Sequence, residues 1–133
     1  MDLPDVARER LDSEAHIWLT TVSPSGQPST SLVWFLPDGD DELLIYSLDS
    51  QRVRNIGDGQ KVALNFNSKG GGGVATFTGE ATVDPDLPRC DEHEGYLAKY
   101  QDRIEQHLGM TPTAFADRYH VGIRVRLAGV RAW

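Results

Sequence analysis

Residues 74–83 place the strictest constraint on this chain. Ala75, Phe77, Gly79, Ala81 and Val83 alternate with Thr76, Thr78, Glu80 and Thr82. A strand turns successive side chains to opposite faces, so this segment reads as a strand with one apolar face and one polar face. The pattern returns near the C-terminus, where Val121, Ile123, Val125 and Leu127 oppose Gly122, Arg124 and Arg126. Further strands are expected over 17–22, 29–36, 43–48 and 62–66. Ser23-Pro24-Ser25-Gly26-Gln27-Pro28 separates the first two, and Pro37-Asp38-Gly39-Asp40-Asp41 leads into the third, both being turn-forming clusters. Segment 43–48 is apolar on both faces, with Leu43 and Ile45 on one and Leu44, Tyr46 and Leu48 on the other, which suits a central or interface strand. Consecutive strands joined by short turns favour an antiparallel barrel over a doubly wound sheet.

Helices bracket this β pattern. Pro4 suits the first turn of a short N-terminal helix whose packing stripe is Leu3, Val6, Arg10 and Leu11. Residues 88–108 carry Leu97, Tyr100, Ile104 and Leu108 at helical spacing, with Gly109 as the C-terminal stop. Thr111 then caps a second helix, Pro112 takes its first position, and Met110 and Phe115 occupy the two staple positions. The expected order is helix, five strands, two helices and at least one further strand. The chain reads as one domain over 1–133 with a helical insertion at about 88–118. A small barrel keeps little interior space, so a large ligand is expected outside it, at a subunit interface.

Charge and composition exclude several classes. The formal charge is −7, from 20 acidic and 13 basic side chains, which argues against a nucleic-acid binder. No apolar run is long enough to span a membrane, and no basic region followed by an apolar stretch opens the sequence. The single cysteine, Cys90, cannot form an internal disulfide, and a cytoplasmic location is the expectation. His16, His93, His107 and His120 lack metal-ligand spacing. Residues 70–73 are four glycines without the lysine–hydroxyl ending of a triphosphate loop.

Three constellations carry chemistry. Ser50, Gln51, Arg52, Arg54 and Asn55 follow the apolar strand 43–48. Ser50 is placed to cap a short helix, whose first amides favour an anion, and arginine adds a planar fork of donors for phosphate oxygens. The bland alternative is a surface turn with solvated arginines; residues two apart on a helix also diverge, so Arg52 and Arg54 need not act together. Ser29, Thr30, Ser31 and Trp34, beside Phe35, could line a flat heterocycle, or be ordinary strand composition. Asn65 and Asn67 could bond a ligand's carbonyl and ring nitrogen, or lie on an exposed strand face. Arg124, Arg126, Arg131 and the terminal Trp133 read as surface charge with one packed aromatic, or as a segment returning to a dimer interface.

The segments TTVSPSGQPSTSLVWFLPDGDDELLIYSLDSQRVRNI, KVALNFNS, ATFTGEATV and VGIRVRLAGVRAW, in this order, resemble the pyridoxamine 5′-phosphate oxidase-like, flavin/deazaflavin split-barrel superfamily. GMTPTAFADRY followed by RVRLAGVRAW is most similar to its actinobacterial F420-dependent branch. The resemblance implies a mainly β fold with flanking helices, an antiparallel split β-barrel of the FMN-binding type, and a homodimer with the cofactor in a groove between subunits. It implies a reductase that transfers a hydride from the C5 of reduced F420 to a conjugated, electron-poor small molecule. An FMN-binding oxidoreductase or flavin carrier, and a noncatalytic cofactor-binding split barrel, are the alternatives. The implied phosphate contact is Arg52, with Arg54 and Asn55 in the same motif. The cofactor-binding candidates are Ser29, Ser31, Trp34, Ser50, Gln51, Arg52, Arg54, Asn55 and Asn65. No catalytic side chain or metal ligand is nominated. The chain is shorter than the B6 biosynthetic oxidases, and its RVRLAGVRAW ending differs from their substrate-binding ending.

Overall fold

The computed structural model describes residues 1–133. Helix α1 (Asp5–Ser13) leads into strands β1 (His16–Val22), β2 (Pro28–Trp34), β3 (Leu36–Asp38) and β4 (Glu42–Ser47). Helix α2 (Gln51–Ile56), β5 (Gln60–Asn65) and β6 (Ala75–Val83) follow. A 3₁₀ turn at Cys90–Glu92, α3 (Glu94–Asp102), a π-helical segment at Arg103–His107 and α4 (Pro112–Arg118) precede β7 (Val121–Ala132). The strands form one sheet in the order β2-β1-β5-β6-β7-β4-β3, and every neighbouring pair is antiparallel. The sheet curls into a half-barrel of the split-barrel type, so the antiparallel expectation holds.

The alternation that marked β6 does what its period requires. Ala75, Phe77 and Ala81 are buried in the barrel core with Ile17, Leu19, Leu43, Ile45, Ile123 and Val125. Gly79 is the exception that needs its missing side chain. The β6–β7 register slips between Thr78 and Gly79, and a Cβ at Gly79 would collide with the Arg126 carbonyl. The N-terminal helix buries Ala7 and Leu11 against the same core, and Arg10 with them. Arg10 is not orphaned there: it donates to the carbonyls of Gly73 and Asn67 and pairs with Glu14 at 2.8 Å.

Two expectations are corrected. The strand read over 29–36 is interrupted at Phe35, and β3 is a separate short strand. The Phe35 N–H donates to the Tyr100 hydroxyl at 2.8 Å, while its carbonyl accepts from Lys99 Nζ at 2.7 Å and from that hydroxyl at 2.6 Å. Side chains from α3 thus satisfy both backbone groups of Phe35, and the ladder has no need to run through it.

The helical stripe is also different. Tyr96, Tyr100 and Ile104 are buried, Leu97 is half-buried and Leu108 is 47% exposed. The cause is the π segment: Leu108 N–H bonds to Arg103 O and Met110 N–H to Ile104 O, so the last turn holds more residues than an α turn, is underwound, and turns Leu108 off the packed face. The Gly109 stop (φ 65°) and the Thr111 cap, which accepts from Ala114 N–H at 3.1 Å, are as read from the sequence.

The apolar character of both faces of β4 now has a reason. Leu43 and Ile45 enter the barrel core, while Tyr46 enters a second core built by the helical segment with Cys90, Tyr96, Tyr100, Ile104 and Phe115. No helix is long and apolar enough to cross a membrane.

Candidate functional site

Between the barrel and the helical segment lies a cavity of about 270 Å³. Its closed end is Val33, Tyr46, Ser47, Tyr96 and Phe115, all buried; its open rim carries Leu32 and Leu108, 50% and 47% exposed. Trp34, Leu48, Tyr119 and Arg52 complete the lining. Trp34 stacks on Tyr100 with ring centroids 4.6 Å apart and on Phe115 at 5.3 Å, and Phe115 stacks on Tyr119 at 4.3 Å. The wall is therefore a rigid aromatic stack, the kind of surface that accepts a flat ring.

Arg52 is the cavity's only charged lining residue. It comes from α2, immediately after β4, and one Nη donates to Ser47 Oγ at 2.8 Å. Its Nε is buried with no partner, and no carboxylate approaches within 4.0 Å. Burial lowers its pKa from the ordinary arginine value, with the Tyr119 hydroxyl pulling the other way, yet arginine stays charged. A half-buried guanidinium with no acid beside it is costly unless an anion completes it.

Two more buried polar atoms lack partners: the Ser50 Oγ and the Tyr96 hydroxyl. Ser50 holds the N-cap position of α2 but makes no side-chain capping bond, a correction to the sequence reading. The first turn is instead closed by Val53 and Arg54 N–H groups on the Ser50 carbonyl, at 3.1 and 3.2 Å, which leaves the Oγ free. With six residues, α2 is too short for its dipole to matter much, so the case for an anion rests on Arg52 and Ser50 rather than on the helix end.

The other sequence candidates separate. Gln51 Nε2 donates to Asn55 Oδ1 at 2.8 Å, and Arg54 donates to Gln51 Oε1 and sits 3.7 Å from Asp49, all on the exposed face of α2. Asn55 turns inward to donate to Thr21 Oγ1 at 3.0 Å, tying α2 to β1. Ser29 is exposed and Ser31 half-buried on edge strand β2, outside the cavity lining. Asn65 faces Trp18 and Thr76 in the ladder and bonds the Phe66 carbonyl at 3.4 Å, also outside it. Asn67 accepts from Trp18 Nε1 at 2.9 Å beside a second hollow of about 260 Å³, from which Leu32 divides the first. Of the nine candidates, the structure brings only Trp34 and Arg52 to the cavity wall, with Ser50 two residues before Arg52 in the chain.

Sequence reasoning missed Tyr96, Tyr119, Phe115 and Leu108. One signal was available. All four tyrosines, Tyr46, Tyr96, Tyr100 and Tyr119, belong to or pack against the same small cluster. A stripe that merely packs uses Leu and Ile, while tyrosine adds a polar tip that needs a partner.

Arg124 shows no such vacancy. It lies in β7 and bonds Asp38 and Glu42, both at 3.1 Å, and Asp84 at 3.3 Å. Trp133, at the end of the chain, is 64% exposed although its backbone is bonded to Val74 in both directions.

Comparison with known proteins adds family context. The family model described as pyridoxamine 5′-phosphate oxidase matches residues 3–133. A solved structure titled F420 reductase is 26% identical over 97% of this chain and 98% of its own, with a TM-score of 0.67. The heme storage protein HutZ from Vibrio cholerae is 16% identical over 99% of this chain and 95% of its own, at a TM-score of 0.62. A FAD-binding protein from Mesorhizobium loti is 16% identical over 96% and 92%, at 0.58. A search of curated proteins finds no match.

Proposed function

The chain belongs to the pyridoxamine 5′-phosphate oxidase family, and from that premise we propose that it is an F420-dependent reductase acting on a conjugated, electron-poor small molecule. The observation that carries this reading is Arg52, a half-buried guanidinium without an acid, standing at an aromatic cavity. The likeness to the F420 reductase, at 26% identity over nearly all of both chains, supports deazaflavin over other cofactors.

Arg52 Nε and the Ser50 Oγ, neither of which has a partner within the chain, would hold the phosphate through charge-assisted hydrogen bonds. Trp34 would border the ring system. A cavity of about 270 Å³ is too small for a whole F420 molecule, so the cofactor's length would run outside it. Ser29, Ser31, Gln51, Arg54, Asn55 and Asn65 would then bear on the cofactor along that outer path. When bound, reduced deazaflavin supplies a hydride for an electron-poor double bond. The chain's own residues bind, orient and exclude water: the aromatic stack is stiff, and Val33, Ser47 and Phe115 are closed to solvent.

A homodimer with the groove between subunits is part of the proposal. Leu32 on edge strand β2 and Trp133 after β7 are the apolar side chains such an interface would cover. Light scattering checks it, with twice the 14.7 kDa chain mass as the expected result.

The test of function is a fluorescence titration of cofactor-free protein with F420 and with FMN. Tight F420 binding with weak FMN binding is the expected result, followed by turnover of enones or quinones with reduced F420. Preference for FMN, or binding of neither, would replace this reading with a flavin protein or a noncatalytic binder.

A further inference from the structure

The loop between β5 and β6 runs through Asn67-Ser68-Lys69 and then four glycines, and one buried side chain holds both of its stems. Arg10, 5% exposed, donates to the carbonyls of Asn67 and Gly73. Glu14 accepts from its Nε at 2.8 Å, and the guanidinium lies over the Phe66 ring at 5.1 Å. Inside the loop, Lys69 and Gly72 exchange backbone bonds of 2.7 and 3.2 Å. Gly70, Gly71 and Gly73 turn the chain with φ values of 63°, 86° and 61°, which glycine adopts without steric cost. A short loop clamped at both stems restricts where its side chains can stand, so a ligand would lose little by ordering them.

Asn67, Ser68 and Lys69 all line the second hollow, of about 260 Å³, on the far side of Leu32 from the Arg52 cavity. Their neighbours decide their hydrogen-bond roles. The Trp18 indole nitrogen only donates, so Asn67 Oδ1 is the acceptor of their 2.9 Å bond, and the Asn67 Nδ2 is left as a donor with no partner in the chain. Ser68 Oγ accepts from Gly71 N–H at 3.3 Å, which leaves its own proton to give. No carboxylate comes within 4.0 Å of Lys69 Nζ. Three successive residues thus bring unspent donors to one hollow. Its charged lining is Arg10 and Lys69 against Glu14, and Glu14 is already bonded to Arg10, so one positive charge is in excess. Burial first, then Arg103, lowers the His16 pKa from 6.5, and at pH 7 this ring adds no charge. Trp18 and Phe66 supply flat apolar wall.

We propose that this second hollow binds a small aromatic monocarboxylate, its carboxylate held by Lys69, Asn67 and Ser68 and its ring against Trp18. A carboxylate has two oxygens and about four acceptor positions, enough for donors from three side chains. One negative charge balances the excess; a second would meet Glu14. The volume falls just below the roughly 300–1,000 Å³ of drug-sized sites, which suits one or two rings. This site stands apart from Arg52 and holds whether or not the chain is a reductase.

The cofactor-free full chain is titrated by calorimetry at low salt with 2-naphthoate and with 2-naphthamide, the same skeleton without the charge. Wild type is expected to prefer the acid by about tenfold, the worth of a charge-assisted hydrogen bond. Lys69→Met should lose most of that preference and keep its affinity for the amide. Asn67→Asp keeps the acceptor for Trp18 but replaces the free donor with a negative oxygen, and should no longer bind the acid. Both positions are exposed, so the fold should survive either change. Arg52→Ala should bind 2-naphthoate as wild type does. Equal affinity of wild type for acid and amide, a full preference retained in Lys69→Met and Asn67→Asp, or no binding of either probe by wild type would overturn the proposal. So would loss of 2-naphthoate binding in Arg52→Ala, which would put the carboxylate in the other cavity.

Discussion

Each end of β4 bonds one arginine, Arg124 from β7 at Glu42 and Arg52 from α2 at Ser47, and the two are treated in opposite ways. At its start, Glu42 joins Asp38 and Asp84 around Arg124, so one guanidinium gathers three carboxylates from β3, β4 and the segment after β6. At its end, Ser47 gives Arg52 its single hydrogen bond within the chain, and no acid comes near. Burial acts on both, yet the acids hold the Arg124 pKa above its ordinary value while Arg52 falls below it. The protein has acids to spare, with a net charge of −7, so the absence at Arg52 is local arrangement rather than shortage. The lesson is that an arginine's neighbours separate a strand fastener from an anion seat, although the residue type is the same.

The largest effect expected from breaking this contrast is on ligand binding. Arg52→Ala should weaken F420 affinity by roughly 10–150-fold, the loss of a charge-assisted contact of about 1.5–3 kcal/mol, and leave stability nearly unchanged. Arg124→Ala should leave the affinity as it was. Fluorescence titration of both variants decides it, and equal affinities in wild type and Arg52→Ala would end the assignment.

The tyrosine pair repeats the contrast in neutral groups. Tyr100→Phe strands the buried Phe35 N–H and should cost about 1–3 kcal/mol in urea unfolding, whereas Tyr96→Phe should cost nothing. A matching loss in both would erase the distinction between them.

Arg124→Ala should be milder. It frees three partly exposed carboxylates, so roughly 1 kcal/mol is expected, shrinking as salt is raised. A loss unaffected by salt would mean that the side chain works by packing rather than by charge.

Lys99 is the intermediate case, a cation held by a neutral carbonyl and lying over the Phe35 ring at 3.7 Å. Burial first, and Arg103 second, lower its pKa from 10.5 to about 8. The unfolded chain thus binds more protons at Lys99 between those values, so stability should rise as pH climbs from 8 toward 9, above which Cys90, raised by burial from 9.0 to about 11, opposes it. Above that, tyrosines ionise more readily in the unfolded chain, since burial raises Tyr46 to about 12, and the trend reverses. Lys99→Met should flatten the rise; an unchanged slope would assign it to another group.

Much of this was legible in advance because it depends on short-range rules. Period-two alternation announced β6 and β7, and the Gly109 stop and Thr111 cap marked where the helical segment turns. Arg52 was recognisable as a candidate because it follows an apolar strand. What could not be read was the distribution of partners. Whether Arg52 or Arg124 finds acids depends on which strands the curled sheet brings together: Asp38 and Arg124 are 86 positions apart in the chain. The break at Phe35 has the same origin, since its partner Tyr100 is 65 positions away.

The sequence by itself therefore determined most of the elements, their antiparallel succession and the residue types able to meet an anion. Those follow from side-chain periodicity and from backbone groups that must be satisfied within a few residues. Only the tertiary structure decided which polar groups were already satisfied. Hydrogen bonds and ion pairs between distant segments exist only after packing sets their distances. That is why Trp34 and Arg52 could be anticipated while Tyr96, identified only by the partner it lacks, could not.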